Sequence, residues 1–346
     1  MARTVLGLDI GSKYIKFVEL AHLGKGKYHL VSVGMAPSPV KGITSEANID
    51  QEAMAATIRK LLKDGGVRSR SVNVALPEAN VFTRIIQVPP LSERELASAI
   101  KWEAEQYIPL PLEDVQMDFS IVGESKDAEG TRKLDILLVA APKGIIQRYN
   151  KVVEMCDLEA EAMETEIISA SRALLPPSPD KPITVMVINL GAKTTDFSIL
   201  KSGVIAFTRS IPTGGESFTK ALAQDFGFPL PQAEEYKKTY GIEKDKLEGK
   251  VFRSLQPIFS VIVEEVKRSI TFFQNKFSEE IISAIILSGG SAKLPGLVSA
   301  LVEAVGIETQ VGAPWSRIEK DPTRFARLEE EGTVFVVAVG LAMREI

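Results

Sequence analysis

Short apolar segments recur along the chain, and their spacing separates strands from helices. Apolar runs bounded by glycine, proline or polar clusters predict strands. The predicted strands are Thr4–Asp9, Tyr14–Ala21, Tyr28–Gly34, Ser71–Leu76, Thr83–Val88, Gln116–Gly123, Leu134–Ala141, Leu158–Thr165, Thr184–Leu190, Thr195–Lys201, Val204–Ile211 and Ala284–Leu287. Apolar residues at a period near 3.6 predict helices. The predicted helices are Asp50–Asp64, Ser92–Tyr107, Pro142–Cys156, Ile167–Leu175, Glu216–Phe226, Pro231–Tyr240, Leu247–Lys276, Val298–Val305 and Thr333–Met343. Strands that alternate with helical crossovers predict a layered α/β fold.

One strand–turn–strand pattern occurs twice, with an offset of 180 residues. Residues 8–20 read LDIGSKYIKFVEL, and residues 188–200 read INLGAKTTDFSIL. In each copy an apolar strand ends in a polar residue, an apolar residue and a glycine, and a second strand follows the turn. Internal repeats often mark duplicated architecture, so this pattern predicts two lobes built on one plan. The first copy has an acid, Asp9, where the second has an amide, Asn189.

Two further segments predict where the chain divides. Residues 80–157 have the character of a compact α+β module inserted in the first lobe, and the proline-rich segment 176–182 is typical of a linker. We therefore expect a first lobe of residues 1–79 and 158–178 and a second lobe of residues 183–346. Within the second lobe, we expect a subdomain at about residues 215–283.

The composition narrows the functional classes. The chain has 346 residues, 45% of them apolar and 25% charged, which is ordinary for a soluble globular protein. A net charge of −4 without a basic block argues against nucleic acid as a partner. The single cysteine, Cys156, excludes an intrachain disulfide and fits a reducing compartment. The two histidines, His22 and His29, show no metal-ligand spacing, which argues against a zinc site or a histidine-based triad.

The sequence also bears on the compartment. The most apolar run, Val334–Met343, has about half of the ~20 residues that a membrane-spanning helix needs. The first residues lack the sustained apolar region of a signal peptide, because Asp9 interrupts the run early. We therefore expect a soluble, cytoplasmic protein that reaches a membrane through a partner or a surface helix.

The two repeated glycine turns have the chemistry of phosphate-binding loops. A glycine turn exposes backbone N–H groups toward one point, and such groups bind phosphate oxygens. In the first turn Ser12 adds a hydroxyl, Lys16 adds a positive charge, and Asp9 is suited to a hydrated Mg²⁺. In the second turn Thr194 and Thr195 add hydroxyls. For either loop alone, a plain hairpin with a glycine turn is the alternative. Because the pattern occurs twice, that alternative is less attractive.

Three further features accompany the loops. The stretch SGGSAKLPGL (288–297) is a third glycine turn, suited to close packing against a base or ribose; a simple strand-to-helix turn is the alternative. Glu234 and Lys237 lie one helical turn apart and suit ribose hydroxyls and adenine, with a solvated ion pair as the alternative. Glu166 lies at a strand–helix junction, where it could orient water for attack on a γ-phosphate; a surface acid near a helix N-terminus is the alternative.

The order of these motifs along the chain resembles that of the actin-like ATPase superfamily, which includes actin, sugar kinases and the Hsp70 ATPase domain. The resemblance implies a two-lobed actin-like fold of duplicated RNase H-like domains, with ATP and Mg²⁺ in the cleft and residues 215–283 on the adenosine side. It implies that Ala338 and Gly340 are the small residues of a second connecting helix. It assigns ATP binding to Gly11, Ser12, Lys13, Lys16, Gly191, Ala192, Lys193, Thr194, Gly214, Gly215, Glu234, Lys237, Gly289, Gly290 and Ser291. It assigns catalysis to Glu166 and Asp9, and a metal held through water to Asp9 and Asn189.

Within this superfamily the inserted block resembles the PilM family of type IV pilus assembly proteins. The stretch KWEAEQYIPLPLEDVQMDF (101–119) carries that resemblance, and the cell-division protein FtsA is a more distant relative with a similar insertion. The resemblance implies that the module forms part of a groove for a short N-terminal peptide of the inner-membrane protein PilN. It also implies that the protein lies beside the bacterial inner membrane and has other pilus inner-membrane and motor proteins as partners. Self-association stays open. For Trp102, Tyr107 and Ile108, core packing is the alternative.

The amide at position 189 bears on activity, because the superfamily has an acid there. Asn189 keeps an acceptor oxygen but loses a charge and gains an NH₂ donor. We therefore expect ATP binding with slow or absent hydrolysis, since hydrolysis depends on a shaped electrostatic site. An active ATPase that cycles a filament or membrane complex remains the alternative, and Glu166 supports it. A small-molecule kinase is disfavoured, because no base lies beside a substrate pocket.

Overall fold

The computed structural model describes residues 3–24, 26–126, 130–175, 183–326 and 328–345. Its strands are β1 (Thr4–Ile10), β2 (Tyr14–Gly24), β3 (Lys27–Pro37), β4 (Ser71–Leu76), β5 (Phe82–Val88), β6 (Val115–Lys126), β7 (Arg132–Pro142), β8 (Glu159–Thr165), β9 (Thr184–Leu190), β10 (Thr195–Lys201), β11 (Val204–Ile211), β12 (Ile282–Ser288), β13 (Thr309–Val311) and β14 (Ile318–Glu319). Its α-helices are α1 (Asn48–Asp64), α2 (Glu93–Tyr107), α3 (Lys143–Glu154), α4 (Glu166–Leu174), α5 (Gly215–Phe226), α6 (Leu230–Tyr240), α7 (Lys250–Lys276), α8 (Leu297–Val305), α9 (Leu328–Glu331) and α10 (Val336–Ala342). The predicted linker, residues 176–182, lies outside the described residues.

The two large sheets share one plan. The first sheet has the strand order β14-β3-β2-β1-β4-β8, and the second has the order β11-β10-β9-β12-β13. Apart from the short edge strand β14, each sheet is an antiparallel meander of three strands followed by two parallel strands. The predicted α/β class and the duplicated two-lobed architecture are therefore confirmed.

Helices pack on the sheets of both lobes. In the first lobe, α1 and α3 pack on one face around Met54, Ile58 and Val152, and α10 packs on the other. In the second lobe, α5 to α8 cover one face. The long helix α7 buries Leu255, Ile262 and other apolar residues of its predicted stripe there, because they recur once per turn.

The chain pairs some segments with elements distant in sequence. The C-terminal helix α10 and strand β14 pack against the first sheet, although residues 183–346 were assigned to the second lobe. Helix α3, grouped with the inserted block, packs against α1 through Tyr149 and Val152. The domain boundaries themselves stay a prediction.

The inserted block forms a three-stranded antiparallel sheet of order β5-β7-β6, with α2 on one face. A capping box starts α2: Glu95 accepts hydrogen bonds from the backbone N–H and the hydroxyl of Ser92. The opposite face of the sheet packs on the second lobe through a shared apolar cluster that includes Ile85, Leu137, Val187 and Ile205. The module therefore contacts both lobes. Among the described residues, no helix is both long and apolar enough to cross a membrane.

Candidate nucleotide cleft

A cleft of about 560 Å³ lies between the lobes, where both repeated turns and the third glycine turn meet. Its lining includes most of the residues singled out in the sequence: Asp9, Gly11, Ser12, Lys13, Lys16, Glu166, Asn189, Gly191, Ala192, Thr194, Gly215, Glu234, Lys237, Gly289, Gly290 and Ser291. Lys193 and Gly214 are not in this lining. Gly214 packs against the second turn instead, where a Cβ would lie 2.6 Å from the carbonyl oxygen of Ala192.

The first turn joins β1 to β2 and carries an ion pair. Asp9 and Lys16 are cross-strand partners, and Lys16 Nζ lies 2.5 Å from Asp9 Oδ2. Asp9 is buried, with 3% of its surface exposed. The hydroxyl of Ser38 donates to the carbonyl oxygen of Gly11 at 2.6 Å and anchors the turn to the end of β3. The turn therefore presents a fixed backbone, with Ser12 at its tip.

The second turn joins β9 to β10 in the same way, with different side chains. The cross-strand partner of Asn189 is Asp196, and Asn189 Nδ2 donates to Asp196 Oδ2 at 3.3 Å. The predicted hydroxyl contribution of Thr195 is wrong. Thr195 is fully buried and donates to the carbonyl oxygen of Thr213 at 2.6 Å, so it holds the backbone that leads into α5.

Asp196 is a cleft residue that the sequence interpretation missed. It lines the cleft and is only 1% exposed. Burial raises the pKa of Asp196 to about 6, although hydrogen bonds from Ser210, Asn189 and Glu166 oppose the shift. The repeat itself holds the missed signal. Position 196 follows Lys16 by the same offset of 180 residues that relates Asn189 to Asp9.

Glu166 begins α4 and lines the cleft together with Asp196. Burial, together with the charges of Asp196 and Asp9, raises the pKa of Glu166 well above its ordinary value, and Lys16 opposes this shift. This environment favours the uncharged, protonated form of Glu166, the form that can donate a hydrogen bond to Asp196. Thr165 caps the helix by accepting a hydrogen bond from the Ile168 backbone N–H at 3.3 Å.

The other side of the cleft contains a buried polar cluster. Lys237 Nζ donates to Glu234 Oε2 at 2.8 Å and to the carbonyl oxygen of Gly215 at 3.0 Å. Burial raises the pKa of Glu234, but hydrogen bonds from Lys237, Thr219 and Lys13 outweigh it and lower the pKa to about 2. Lys13 Nζ lies 3.1 Å from Glu234 Oε1, so one ion pair joins the first turn to α6 across the cleft.

The third glycine turn packs directly on the second. Gly289 has a φ of +87°, and a Cβ there would lie 2.4 Å from the carbonyl oxygen of Leu190. Any larger residue would be strained and would separate β12 from β9. The turn therefore needs glycine at this position to keep the second phosphate-loop candidate and the third turn in contact.

Two helices cross beneath the cleft at very short range. In α10, a Cβ on Gly340 would lie 1.8 Å from the carbonyl oxygen of Ser169 in α4. Ala338 is fully buried in the same packing. The small residues Ala338 and Gly340 thus let the helices touch through their backbones.

Comparisons with known proteins agree with this architecture. The family model described as "Type IV pilus assembly protein PilM" matches residues 7–346. The solved "PilM-PilN type IV pilus biogenesis complex" is similar with a TM-score of 0.84 and 29% identity, covering 98% of both chains. FtsA of Neisseria meningitidis is 26% identical over 90% of this chain and 84% of its own length. MreB 5 of Spiroplasma citri shares the fold, with a TM-score of 0.53 and 15% identity over 98% of this chain and 95% of its own.

The match of the PilM model spans almost the whole chain. It includes both repeated turns and the inserted module. The chain therefore belongs to the PilM family of type IV pilus assembly proteins.

Proposed function

We propose that the protein is an ATP-binding scaffold of type IV pilus assembly that docks the short N-terminal peptide of PilN and hydrolyses ATP slowly or not at all. The observation that carries this proposal is the cleft, where three glycine turns and the Glu234–Lys237 pair meet in about 560 Å³. The similar solved PilM–PilN complex supports PilN as the partner, and the solved MreB 5 structure bound to AMPPNP supports a nucleotide as the ligand.

The backbone of both turns would hold the phosphates. Residues of both turns line one cavity, and Gly215, which also lines it, starts a 12-residue helix whose dipole favours anions at its N-terminus. Substituting Gly215 would fill the cradle, because a Cβ there would lie 2.4 Å from Ser291 Oγ. Lys237 and Glu234, on the far side, suit the ribose and adenine.

The donor set fits a hydrated Mg²⁺ better than a directly chelated one. Among the described residues, no three acidic, histidine or cysteine side chains form a group that could hold a metal ion. Asp9 and Asn189 line the cleft from the two turns, where each would hold the cation through water. When bound, the ion supplies positive charge that neutralises phosphate oxygens.

The same residues support the proposal of slow turnover. A base at position 166 must be ionised to orient and deprotonate a water molecule, but burial and the neighbouring carboxylates raise the pKa of Glu166 and oppose its ionisation. Asn189 contributes a donor to Asp196 instead of a second charge. The cleft is therefore suited to hold a triphosphate between the lobes and stabilise the closed shape. An active ATPase remains the second candidate, because a bound cation would favour the ionised form of Glu166.

The inserted module offers a surface for the peptide. Trp102 of α2 is 75% exposed and Ile121 of β6 is 56% exposed, whereas Ile108 is buried. The core-packing alternative therefore holds for Ile108 and is wrong for Trp102. Tyr107 stacks beneath Arg84, whose guanidinium lies 4.0 Å from the ring centroid. Exposed aromatic and aliphatic side chains of this kind commonly anchor a partner.

The first test is to identify the ligand of protein purified without added nucleotide and to follow its conversion to ADP with Mg²⁺. We expect mostly intact ATP. Lys237→Ala should lose the nucleotide, while Lys244→Ala, which removes an exposed ion pair with Glu303, should keep it. Steady conversion to ADP would support the ATPase alternative, and a wild-type protein that cannot be loaded with ATP would contradict the proposal.

The second test concerns the peptide. Titration of a labelled N-terminal PilN peptide should show weaker binding to Trp102→Ala, because removal of a central aromatic anchor commonly costs 2 kcal/mol or more, about thirtyfold in affinity. Ile281→Ala, a change at a 78% exposed apolar residue of the second lobe, is the matched control and should bind as the wild type does. Equal affinities for all three proteins would rule out this part of the module as the docking surface.

A further inference from the structure

Glu78 is a buried acid outside the lining of the nucleotide cleft. It starts a single 3₁₀ turn, Glu78–Asn80, at the point where the chain leaves β4 for the inserted module. The residue is 5% exposed, and within the described part of the chain its Oε2 atom has no hydrogen-bond partner. A buried polar atom without a partner costs about 1–3 kcal/mol, so stability alone does not explain this acid.

Three threonines lie near the Glu78 carboxyl, and they come from three different parts of the molecule. Like Glu78 Oε2, the Thr83 hydroxyl has no hydrogen-bond partner within the described part of the chain. Thr83 lies on β5 of the module, Thr165 ends β8 and caps α4, and Thr208 lies on β11 of the second lobe. Burial and the charge of Asp196 raise the pKa of Glu78 to about 8, although the hydroxyls oppose the shift. Glu78 therefore lies where both lobes and the inserted module meet.

Each of these neighbours leads to an acid of the cleft. Thr165 directly precedes Glu166 in the chain. Thr208 is two residues before Ser210 on β11, so both side chains point to the same side of the strand. Ser210 donates to Asp196 Oδ1 at 2.6 Å. A shift of either threonine would therefore move the Glu166–Asp196 pair.

The module is fixed to the second lobe beside this junction. Its strand β5 contacts β11, and the turn that carries Glu78 contacts β11 as well. Burial lowers the pKa of Lys276 at the end of α7, and the charge of the nearby Asp135 on β7 opposes that shift. Rigid packing of this kind transmits a displacement of the module into β11.

We propose that Glu78 is a positioning residue that couples the inserted module to the acid pair of the cleft. Through the packing of its turn against β11 and its three threonine neighbours, it holds Glu166 and Asp196 in place while β5 is docked. A partner on the module and a nucleotide in the cleft then influence each other reciprocally. The inference rests on the proposed function, because it concerns the regulation of the same nucleotide site.

Hydrogen exchange of the full chain with and without Mg-ATP tests this coupling. In the wild type, ATP should slow exchange in β10 and β11 and also in β5, which lies outside the cleft. Glu78→Gln keeps the size and the hydrogen-bonding capacity of the side chain and should retain both effects. Glu78→Ala should bind ATP within about threefold of the wild type but lose the effect on β5. A purely structural role would instead slow or speed exchange equally with and without ATP.

Two further variants keep the test decisive. Thr208→Val removes one hydroxyl on the second-lobe side, so it should also lose the effect on β5, and it serves if Glu78→Ala does not fold. Glu124→Ala, which removes an exposed ion pair with Arg132 in the same module, should behave as the wild type does. If ATP binds and the effect on β5 survives in both Glu78→Ala and Thr208→Val, the inference is overturned alone. A wild type that does not bind ATP overturns the proposed function and this inference together.

Discussion

Replacement of Asn189 by aspartate tests the electrostatic reading of the cleft most directly. Asn189 Nδ2 donates to Asp196 Oδ2 at 3.3 Å, and the Asn189 Oδ1 atom accepts from Ser288 at 3.4 Å. Asn189→Asp keeps the size of the side chain but removes the NH₂ donor. The change places two carboxylates next to each other in a buried site. When both are ionised, neither can donate a hydrogen bond to the other.

The expected cost follows from the distance and from the pKa of Asp196. At 3.3 Å, two unit charges repel by about 5 kcal/mol at an effective dielectric constant near 20. The pair avoids most of this repulsion by binding a proton, and protonating a carboxyl of pKa about 6 costs about 1.4 kcal/mol at pH 7. We therefore expect a loss of about 1–3 kcal/mol in the unfolding free energy of the free protein, or roughly 1–4 °C in Tm for a chain of 346 residues.

The pH dependence and the effect of ligand have defined signs. The folded variant holds a proton that the unfolded chain releases, so the loss of stability should grow from pH 6 to pH 8. Mg-ATP should restore more stability to the variant than to the wild type, because the added charge holds the hydrated cation. Turnover should rise by about tenfold or more, since one preorganised charge in a closed site is commonly worth 10²–10³ in rate.

Thermal unfolding across this pH range, with and without Mg-ATP, and single-turnover phosphate release provide the measurements. The double variant Asn189→Asp/Asp196→Asn exchanges the acid and the amide at constant net charge. It should unfold near the wild-type temperature, because one donor is retained. An Asn189→Asp protein with wild-type stability at pH 8 and unchanged turnover would refute the reasoning.

Three other predictions concern the elements around the cleft. Gly340→Ala should lower the unfolding free energy by about 3 kcal/mol or more in a denaturant titration, because its Cβ would lie 1.8 Å from the Ser169 carbonyl oxygen. The control Gly144→Ala, with no atom within 4 Å of the added Cβ, should be neutral or slightly stabilising. Equal effects of the two substitutions would contradict the close helix crossing. Glu164→Gln should cost at most about 3 kcal/mol by the same titration, since it weakens a 3% exposed carboxylate that pairs with two partly exposed arginines. The pKa of Glu234 in the folded protein lies below its ordinary value, so this carboxylate stabilises the wild type above about pH 4.5, and that contribution is lost as the pH falls toward about 2. Glu234→Gln should lack this contribution and its pH dependence. An unchanged acid-unfolding profile would show that the ion pair across the cleft is not formed.

The sequence by itself determined the elements and the repeat. Both depend on short-range patterns: apolar periodicity selects strand or helix, and glycine marks the turns where the backbone must approach a neighbour closely. Matching the two copies was enough to predict two lobes, and the inserted block was enough to predict the PilM family, which the family model confirms. The assignment of Asp9, Glu166 and Asn189 to a nucleotide site stays a prediction, and the structure places their side chains around one cleft.

Only the tertiary structure decided which distant residues share an environment. The strand register sets Asp196 opposite Asn189 and so places it in the cleft. Glu78 lies near threonines of three different elements. The C-terminal helix α10 returned to the first sheet because its small residues fit against α4, a contact that local periodicity does not encode. Burial and pKa depend on every neighbour in space, whereas a sequence pattern records only neighbours along the chain.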